Sequence, residues 1–246
     1  MPLLQQIIEP KKLLLVWQKV DRSEAGQSRS GHRHVVGELL HRSEGQVVLH
    51  YFKDAEDFKK AQQHGFEGYP AFGIEQEIHE TNVMDAFQRR LPPDTRTDFD
   101  DYLKYHGIDP AVKKRLSPFA LLGYTGAKLP GDGFSLVHTF ENVHAPCEII
   151  TELAGFRHNA GMPSFRDGQE FVGKHVAFAK EPENPVDADA VKVTLADTGT
   201  TIGYVNRAQR HAFGHWLNEH RQLEGTIQRL NGKLDRPDVL LHVNVH

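Results

Sequence analysis

Lys180–Val193 reads K-E-P-E-N-P-V-D-A-D-A-V-K-V, and it decides how the second half of this chain folds. Pro182 and Pro185 fix φ and lack amide donors, so neither a helix nor a central strand runs through them. Asn184 and Asp187 bond readily to their own backbone and tolerate turn geometries. From Ala190 to Leu195 apolar residues alternate as in a strand, and Thr200–Val205 repeats the pattern after Gly199. The stretch therefore reads as a shaped polar loop leading into paired strands. A rigid scaffold presents side chains to a ligand in this way.

With Gly199–Asn206 (G-T-T-I-G-Y-V-N) downstream, these residues resemble the HIRAN family. Its signature sets P-x-N-P-x-D-x-x-A-[IV]-x-V ahead of G-x-x-[IV]-G-[YHF]-[LVI]. The resemblance runs from about Ile149 to Val245. It takes in Leu153–Asn159 as a first strand with a ligand-facing loop, and Phe171–Val176 as a second strand. It implies a small OB-like β-barrel that grips the free 3′ end of single-stranded DNA, or that sits beside helicase, nuclease or ubiquitin-ligase modules. Carried over residue by residue, Asp187 receives the 3′-hydroxyl, Asn184 shapes the pocket and Arg157 meets phosphate. Val186 stands where the family's DNA-binding member has a stacking aromatic, and His158 and Asn159 stand where it has two more. Base–aromatic stacking is worth roughly 1–3 kcal/mol per base, so these departures bear directly on affinity. Lys192, Tyr204 and Arg207 complete the expected nucleic-acid-binding set. Tyr204 ends a strand near the pocket, and both it and Phe156 read either as core residues or as stacking platforms.

Composition sets outer bounds. The chain has 246 residues, 39% hydrophobic and 25% charged, which suits one large or two ordinary folded domains. No apolar run is long enough for a membrane span, and the N-terminus carries Glu9 without a basic start, unlike a signal peptide. The single cysteine, Cys147, permits no internal disulfide, and together these features point to the cytoplasm. Net charge is −4; residues 148–246 hold 11 Lys+Arg against 13 Asp+Glu, so 11 − 13 = −2 for the nucleic-acid candidate itself. A broad basic footprint for duplex DNA is therefore missing. A local patch from Arg157, Lys174, Lys180, Lys192 and Arg207 implies modest, salt-sensitive affinity.

Upstream, Lys11–Gln18, Val35–Leu40 and Gln46–Phe52 read as strands, with the polar stretch Asp21–His34 as a mobile insertion. Asp54 and Gly65 bracket a helix over Ala55–His64. Asp94 or Thr95 begins another, with Phe99, Tyr102, Leu103 and His106 on one face and Gly107 as its stop. Asp109-Pro110 and Ser117-Pro118 are cap-plus-proline starts, and Gly131–Phe140 reads as a strand. Val35–Leu39, Phe87–Pro92 (F-Q-R-R-L-P), Ser117–Leu122 (S-P-F-A-L-L) and Gly126–Val137 resemble, in order and spacing, the N-terminal subdomain of HipA-type toxin kinases. That resemblance implies a domain over residues 1–145 that docks on a HipA-type kinase core encoded separately, in the manner of an antitoxin. No kinase catalytic motif follows, and Gly126–Gly133 lacks P-loop spacing, so it reads as a turn before a strand.

Sixteen histidines raise the question of metal. His211 and His215 have i, i+4 spacing on a helix expected over Ala208–His220, and His32 and His34 form H-x-H, but no H-E-x-x-H or cysteine pair accompanies them. The histidines read as a solvated or partly packed face. Asp187 and Asp189 have the makings of a magnesium chelate, against turn capping as the alternative. Cys147 lacks a base and Ser135 lacks a nucleophile elbow. Trp17, Trp216, Phe213 and Leu217 read as core.

The sequence thus predicts an α+β protein. A small sheet with helices occupies 1–145, and an OB-like barrel with a helix occupies 149–246. The expected role is non-enzymatic, without cofactor or metal: single-stranded DNA ends on one domain and a kinase partner on the other. The alternatives are a metal-dependent nuclease accessory and a purely protein-contact module.

Overall fold

The computed structural model describes residues 3–23, 26–42, 45–129, 131–159, 169–233 and 236–246. They form two compact units: Ile8–Phe99 with Arg115–Thr139, and Met1–Ile7 with Asp100–Lys114 and Phe140–His246. The expected division at 145/149 follows the chain, whereas these units interleave. The reason is local. Leu4 is fully buried, its amide bonds Gly107 O at 2.8 Å, and its carbonyl accepts from Asp109 N at 3.0 Å. A Cβ on Gly107 would come within 2.6 Å of Gln228 Oε1 and Ile150 Cδ1, so this turn lies tight against the barrel.

In the first unit β1 (Lys12–Ser23), β2 (Gly26–His41), β3 (Val47–Tyr51), β6 (Ile78–His79) and β7 (Phe134–His138) form an antiparallel sheet, ordered β6-β3-β2-β1-β7. A two-residue ladder, β4 (Gly68–Tyr69) with β5 (Phe72–Gly73), lies between β3 and β6 in the chain. Leu13 and Leu15 alternate into a core with Leu39, Leu49, Tyr51, Phe58, Phe87 and Leu122. Each such side chain contributes about 1.5–3 kcal/mol by leaving water. Helices α1 (Glu56–Gln63), α2 (Val83–Gln88) and α4 (Pro118–Thr125) supply Phe58, Phe87 and Leu122 to it. Ser117 caps α4 as expected: its Oγ accepts from Ala120 N at 2.9 Å, Pro118 opens the helix, and Gly126 ends it at φ 70°.

Three expectations fail here. Asp21–His34 is not a loose insertion. β1 and β2 stay paired through it, from Gln18↔Arg33 to Ser23↔Gly26. A polar two-stranded ribbon carries no hydrophobic alternation, so periodicity cannot reveal it. Asp54 does not cap α1, since Ala55 holds that position without a side-chain bond, and Asp57 in the first turn instead accepts from Val35 N at 3.2 Å. The helix expected from Asp94 begins only at Phe99 (α3, Phe99–Tyr105), because Arg96 and Phe99 amides close preceding turns on Pro93 and Arg96 carbonyls.

The second unit is a closed antiparallel barrel ordered β10-β11-β8-β13-β12-β9. Its strands are β8 (Cys147–Ala154), β9 (His175–Lys180), β10 (Val191–Leu195), β11 (Thr201–Val205), β12 (Leu223–Lys233) and β13 (Arg236–Val245). Closure removes exposed sheet edges. Val191, Val193 and Leu195 point inward, as do Val239, Leu241, Val243 and Val245. From α6 (Arg210–Asn218), Phe213 and Trp216 are buried, and Trp216 Nε1 donates to Val143 O at 2.9 Å. Leu217 is half-buried, and so is Trp17, which packs against the core of the other unit. The expected second strand at Phe171–Val176 shifts to His175–Lys180: Gln169–Phe171 is a 3₁₀ turn and Gly173 at φ 88° breaks the run. The chain is therefore α+β, with a sheet-and-helix unit and an OB-like barrel. Among the described residues no helix is long and apolar enough to cross a membrane.

Candidate nucleic-acid interface

The loop between β9 and β10 is built from its own hydrogen bonds. Glu181 N donates to Ala190 O at 2.9 Å, Asn184 N to Glu181 O at 2.9 Å, and Ala190 N to Asp187 O at 3.0 Å. Asn184 Oδ1 accepts from the amides of Val186 (3.0 Å) and Asp187 (3.1 Å), while Asp187 Oδ1 accepts from Asp189 N at 3.1 Å. These are the short-range side-chain turns that Asn and Asp favour. Pro182 and Pro185 sit where this network asks for no donor.

Glu181 is the hub of the loop, and the sequence reading did not single it out. Its Oε2 accepts from Asn184 Nδ2 at 2.7 Å and its Oε1 from Lys192 Nζ at 2.9 Å. The donors Asn184 and Lys192, with help from Tyr204, hold its carboxyl below the ordinary carboxylate value. Burial first, and then the bond to Glu181, push the Tyr204 hydroxyl up. Lys192 and Tyr204 face each other across β10 and β11, and Tyr204 pairs with Ala154 of β8. Gly203 permits this approach, since a Cβ there would lie 2.4 Å from Ala154 O.

Arg210, in the first turn of α6, is a second functional candidate beyond the sequence reading. Its Nη1 donates to Asp187 Oδ2, and its Nη2 lies 3.9 Å from Asp189 Oδ2. Its Nε is buried without a hydrogen-bond partner among the described residues. The partners are 23 positions apart, so no local pattern announces them. A guanidinium against both aspartates disfavours the magnesium chelate weighed for Asp187 and Asp189, because the ion would meet a fixed positive charge.

The structure thus gathers Asn184, Asp187, Lys192 and Tyr204, and adds Glu181 and Arg210. Asn159, at the end of α5 (Phe156–Asn159), donates through Nδ2 to Gly155 O at 2.9 Å. A Cβ on Gly155 would stand 3.8 Å from the Tyr204 ring, which puts Asn159's turn beside the cluster. Arg157 and His158 lie on the same short helix, and their side chains are outside the described residues. Arg207 is exposed on the turn before α6. Val186 is 93% exposed at the loop tip. Phe156 is buried, so of the two ambiguous aromatics it belongs to the core and half-buried Tyr204 borders the site. The expected basic patch is largely engaged within the unit: Lys174 with Asp197 (3.6 Å), Lys180 with Asn218 (2.9 Å) and Lys192 with Glu181.

Other candidates resolve plainly. His211 and His215 are exposed, and His215 pairs with Glu219 at 3.4 Å. Among the described residues no group of three or more His, Cys, Asp or Glu is arranged around one point for a metal ion. Burial pushes the Cys147 thiol up to about 11, the wrong direction for a nucleophile. The turn at Gly126–Gly133 offers Arg90 the Ala127 carbonyl and the Asp132 carboxylate.

Comparison with known proteins bears on this barrel. The family model for the HIRAN domain matches residues 148–246. Similar solved structures include the HIRAN domain of human HLTF, at 22% identity over 40% of this chain and 74% of that one, with a TM-score of 0.32. Another is a protein from Lactobacillus plantarum, at 19% identity over 40% of this chain and 97% of that one, with a TM-score of 0.30. No curated protein matches the chain. The residues from Glu148 onward, the strands β8 to β13 with their loop at Glu181–Ala190, are a HIRAN domain.

Proposed function

We propose that this protein binds nucleic acid through its HIRAN domain and takes the free 3′ end of single-stranded DNA against the loop Glu181–Ala190. The supporting observation is the self-bonded loop: Asn184 Oδ1 holds the Asp187 amide, and Asp189 N and Arg210 Nη1 hold the Asp187 carboxylate in place, while Glu181 ties Asn184 to Lys192. A carboxylate is an acceptor matched to a terminal hydroxyl, and a fixed loop spends little ordering entropy on binding. In this reading Asp187 receives the hydroxyl, Asn184 shapes the pocket, and Arg157 and Arg207 meet phosphate. Tyr204 offers a ring edge beside the turn from Gly155 to Asn159. The role is one of binding without catalysis, supported by Arg210 occupying the space between the two aspartates.

The test is fluorescence anisotropy with a 3′-hydroxyl strand, a 3′-phosphate strand and a blunt duplex. The 3′-hydroxyl strand is expected to bind best. Asp187→Ala should erase that preference while generic affinity holds or rises, because Arg210 is set free. An unchanged preference in that variant sinks the assignment.

A second reading concerns the other unit: docking on a separately encoded HipA-type kinase core. It is supported by the way three of the motif stretches meet within one unit. Arg90 of Phe87–Pro92 donates through Nε to Ala127 O at 2.8 Å and pairs with Asp132 at 2.7 Å, both in Gly126–Val137, and Ser117 caps α4 in the third. Because the units interleave, the full chain is the reagent. Mixed with such a kinase core it should lower autophosphorylation, and unchanged activity at saturation would remove this reading.

A further inference from the structure

A histidine pair in the sheet-and-helix unit lies apart from the barrel's chemistry. His34 on β2 is 3% exposed, and its Nε2 shares a hydrogen bond of 3.0 Å with Nδ1 of His64, the residue that caps the end of α1; a bound ion would replace the shared proton. Behind His34, its Nδ1 stands 3.9 Å from Asp57 Oδ1, and that nitrogen is buried without a hydrogen-bond partner among the described residues. Asp57 is itself anchored to Val35 N. His64 is exposed, so solvent reaches the pair from one side. Trp17, across the strand from His34, stacks on it with centroids 6.4 Å apart.

We propose that His34 Nε2 and His64 Nδ1 form a two-imidazole site for a late first-row divalent ion, copper(II) or zinc(II), with solvent completing its shell. The distance carries the argument. Metal–imidazole bonds of about 2.0–2.1 Å place two ligand nitrogens about 2.9 Å apart at a right angle and about 3.3 Å apart at a tetrahedral one. The observed 3.0 Å meets the first arrangement as it stands and the second after a few tenths of an ångström. Copper(II) favours the tetragonal corner, and imidazole suits both ions.

The surroundings agree. A carboxylate bonded to a ligating imidazole sets its tautomer and raises its basicity, and Asp57, 3.9 Å from Nδ1, would take that role by closing about an ångström on ion binding. His64 sits at a helix C-terminus, where the backbone dipole attracts a cation. Only two protein nitrogens are supplied, so the ion would be exchangeable rather than structural.

Trp17 provides the readout, because copper(II) beside His34 quenches its emission. Untagged full-length protein is titrated with copper chloride, alongside Trp17→Phe to isolate the signal from Trp216. Saturable quenching of Trp17 at one equivalent is expected, with recovery on adding excess zinc chloride. His64→Gln, an exposed change that leaves the core alone, should weaken the binding by at least about tenfold. His215→Gln, in the i, i+4 pair on α6, should leave it intact. Absent quenching, or quenching equal in His64→Gln and wild type, overturns the proposal.

Discussion

Two turns in this molecule are held by the same device, a cation clasping a carboxylate, and they serve opposite ends. In the sheet-and-helix unit Arg90 is almost wholly buried, at 4% side-chain exposure, against Asp132 at 29%. Its guanidinium donates to both Asp132 oxygens and to the carbonyls of Ala127 and Phe134. In the barrel, Lys192 and Glu181 are 31% and 26% exposed, and their bond shapes a loop that faces solvent. A buried cation with every donor matched fixes the chain's path, even though its carboxylate partner stays partly open to solvent. A half-exposed pair holds a loop in place yet leaves its groups open to exchange partners with a ligand. Burial rather than residue type separates scaffold from site.

The largest effect should come from breaking the buried clasp. Arg90→Ala takes the guanidinium away from Asp132 and two carbonyls, and removing the buried partner of an ion pair costs up to about 3–5 kcal/mol. Urea unfolding should show the loss, and Arg90→Lys should recover little of it, because a single ammonium cannot reproduce the fork. If Arg90→Ala costs no more than Lys192→Ala in the same assay, the contrast between the two turns is false.

A smaller effect separates the units by pH. His138 on β7 is buried, and burial pushes its pKa down to about 4 against a weaker opposing bond to Ile8 O. Its folded value lies below its unfolded value of about 6.5. The stability tied to its neutral form is therefore present above pH 6.5 and is lost as pH falls toward 4, up to about 3 kcal/mol in all. The sheet-and-helix unit, followed by Trp17 fluorescence, should loosen across that window, and His138→Gln should flatten its pH dependence. A flat wild-type profile would show that the imidazole is solvated.

The same division by burial explains what could be read in advance. The barrel was legible because Val191–Leu195 and Thr201–Val205 each bury one face, which writes an alternation into the sequence. The cap at Ser117 was legible because its signal spans only a few residues. The ribbon at Asp21–His34 was not, because its polar residues carry no apolar alternation from which a strand could be read. Within the site, Asn184 and Asp187 were visible as local turn formers. Glu181 stood in the quoted motif, but its part depends on Lys192 and Tyr204, which only strand register brings to it. Arg210 reaches Asp187 by way of the helix after β11, beyond any spacing rule.

The smallest expected change in stability is also the sharpest test of the exposed clasp. Glu181→Gln keeps the side chain's shape and can still accept one bond, but it cannot answer Lys192 with a charge. As a half-exposed pair, the Glu181–Lys192 contact adds little to folding, so the unfolding midpoint should hardly move. The consequence belongs to binding. Lys192 becomes free for phosphate, and the loss of one negative charge raises generic, salt-sensitive affinity for single strands. Asn184 loses a strong acceptor, the loop slackens around Asp187, and preference for a 3′-hydroxyl end falls. Wild type should keep that preference down through pH 5, because the donors Asn184 and Lys192 hold the Glu181 carboxyl ionised below its ordinary value. Anisotropy at two salt concentrations separates the trends, since the generic gain fades with salt and the loss of end preference does not. If Glu181→Gln instead unfolds the barrel, the loop belongs to the scaffold, and the two turns are alike after all.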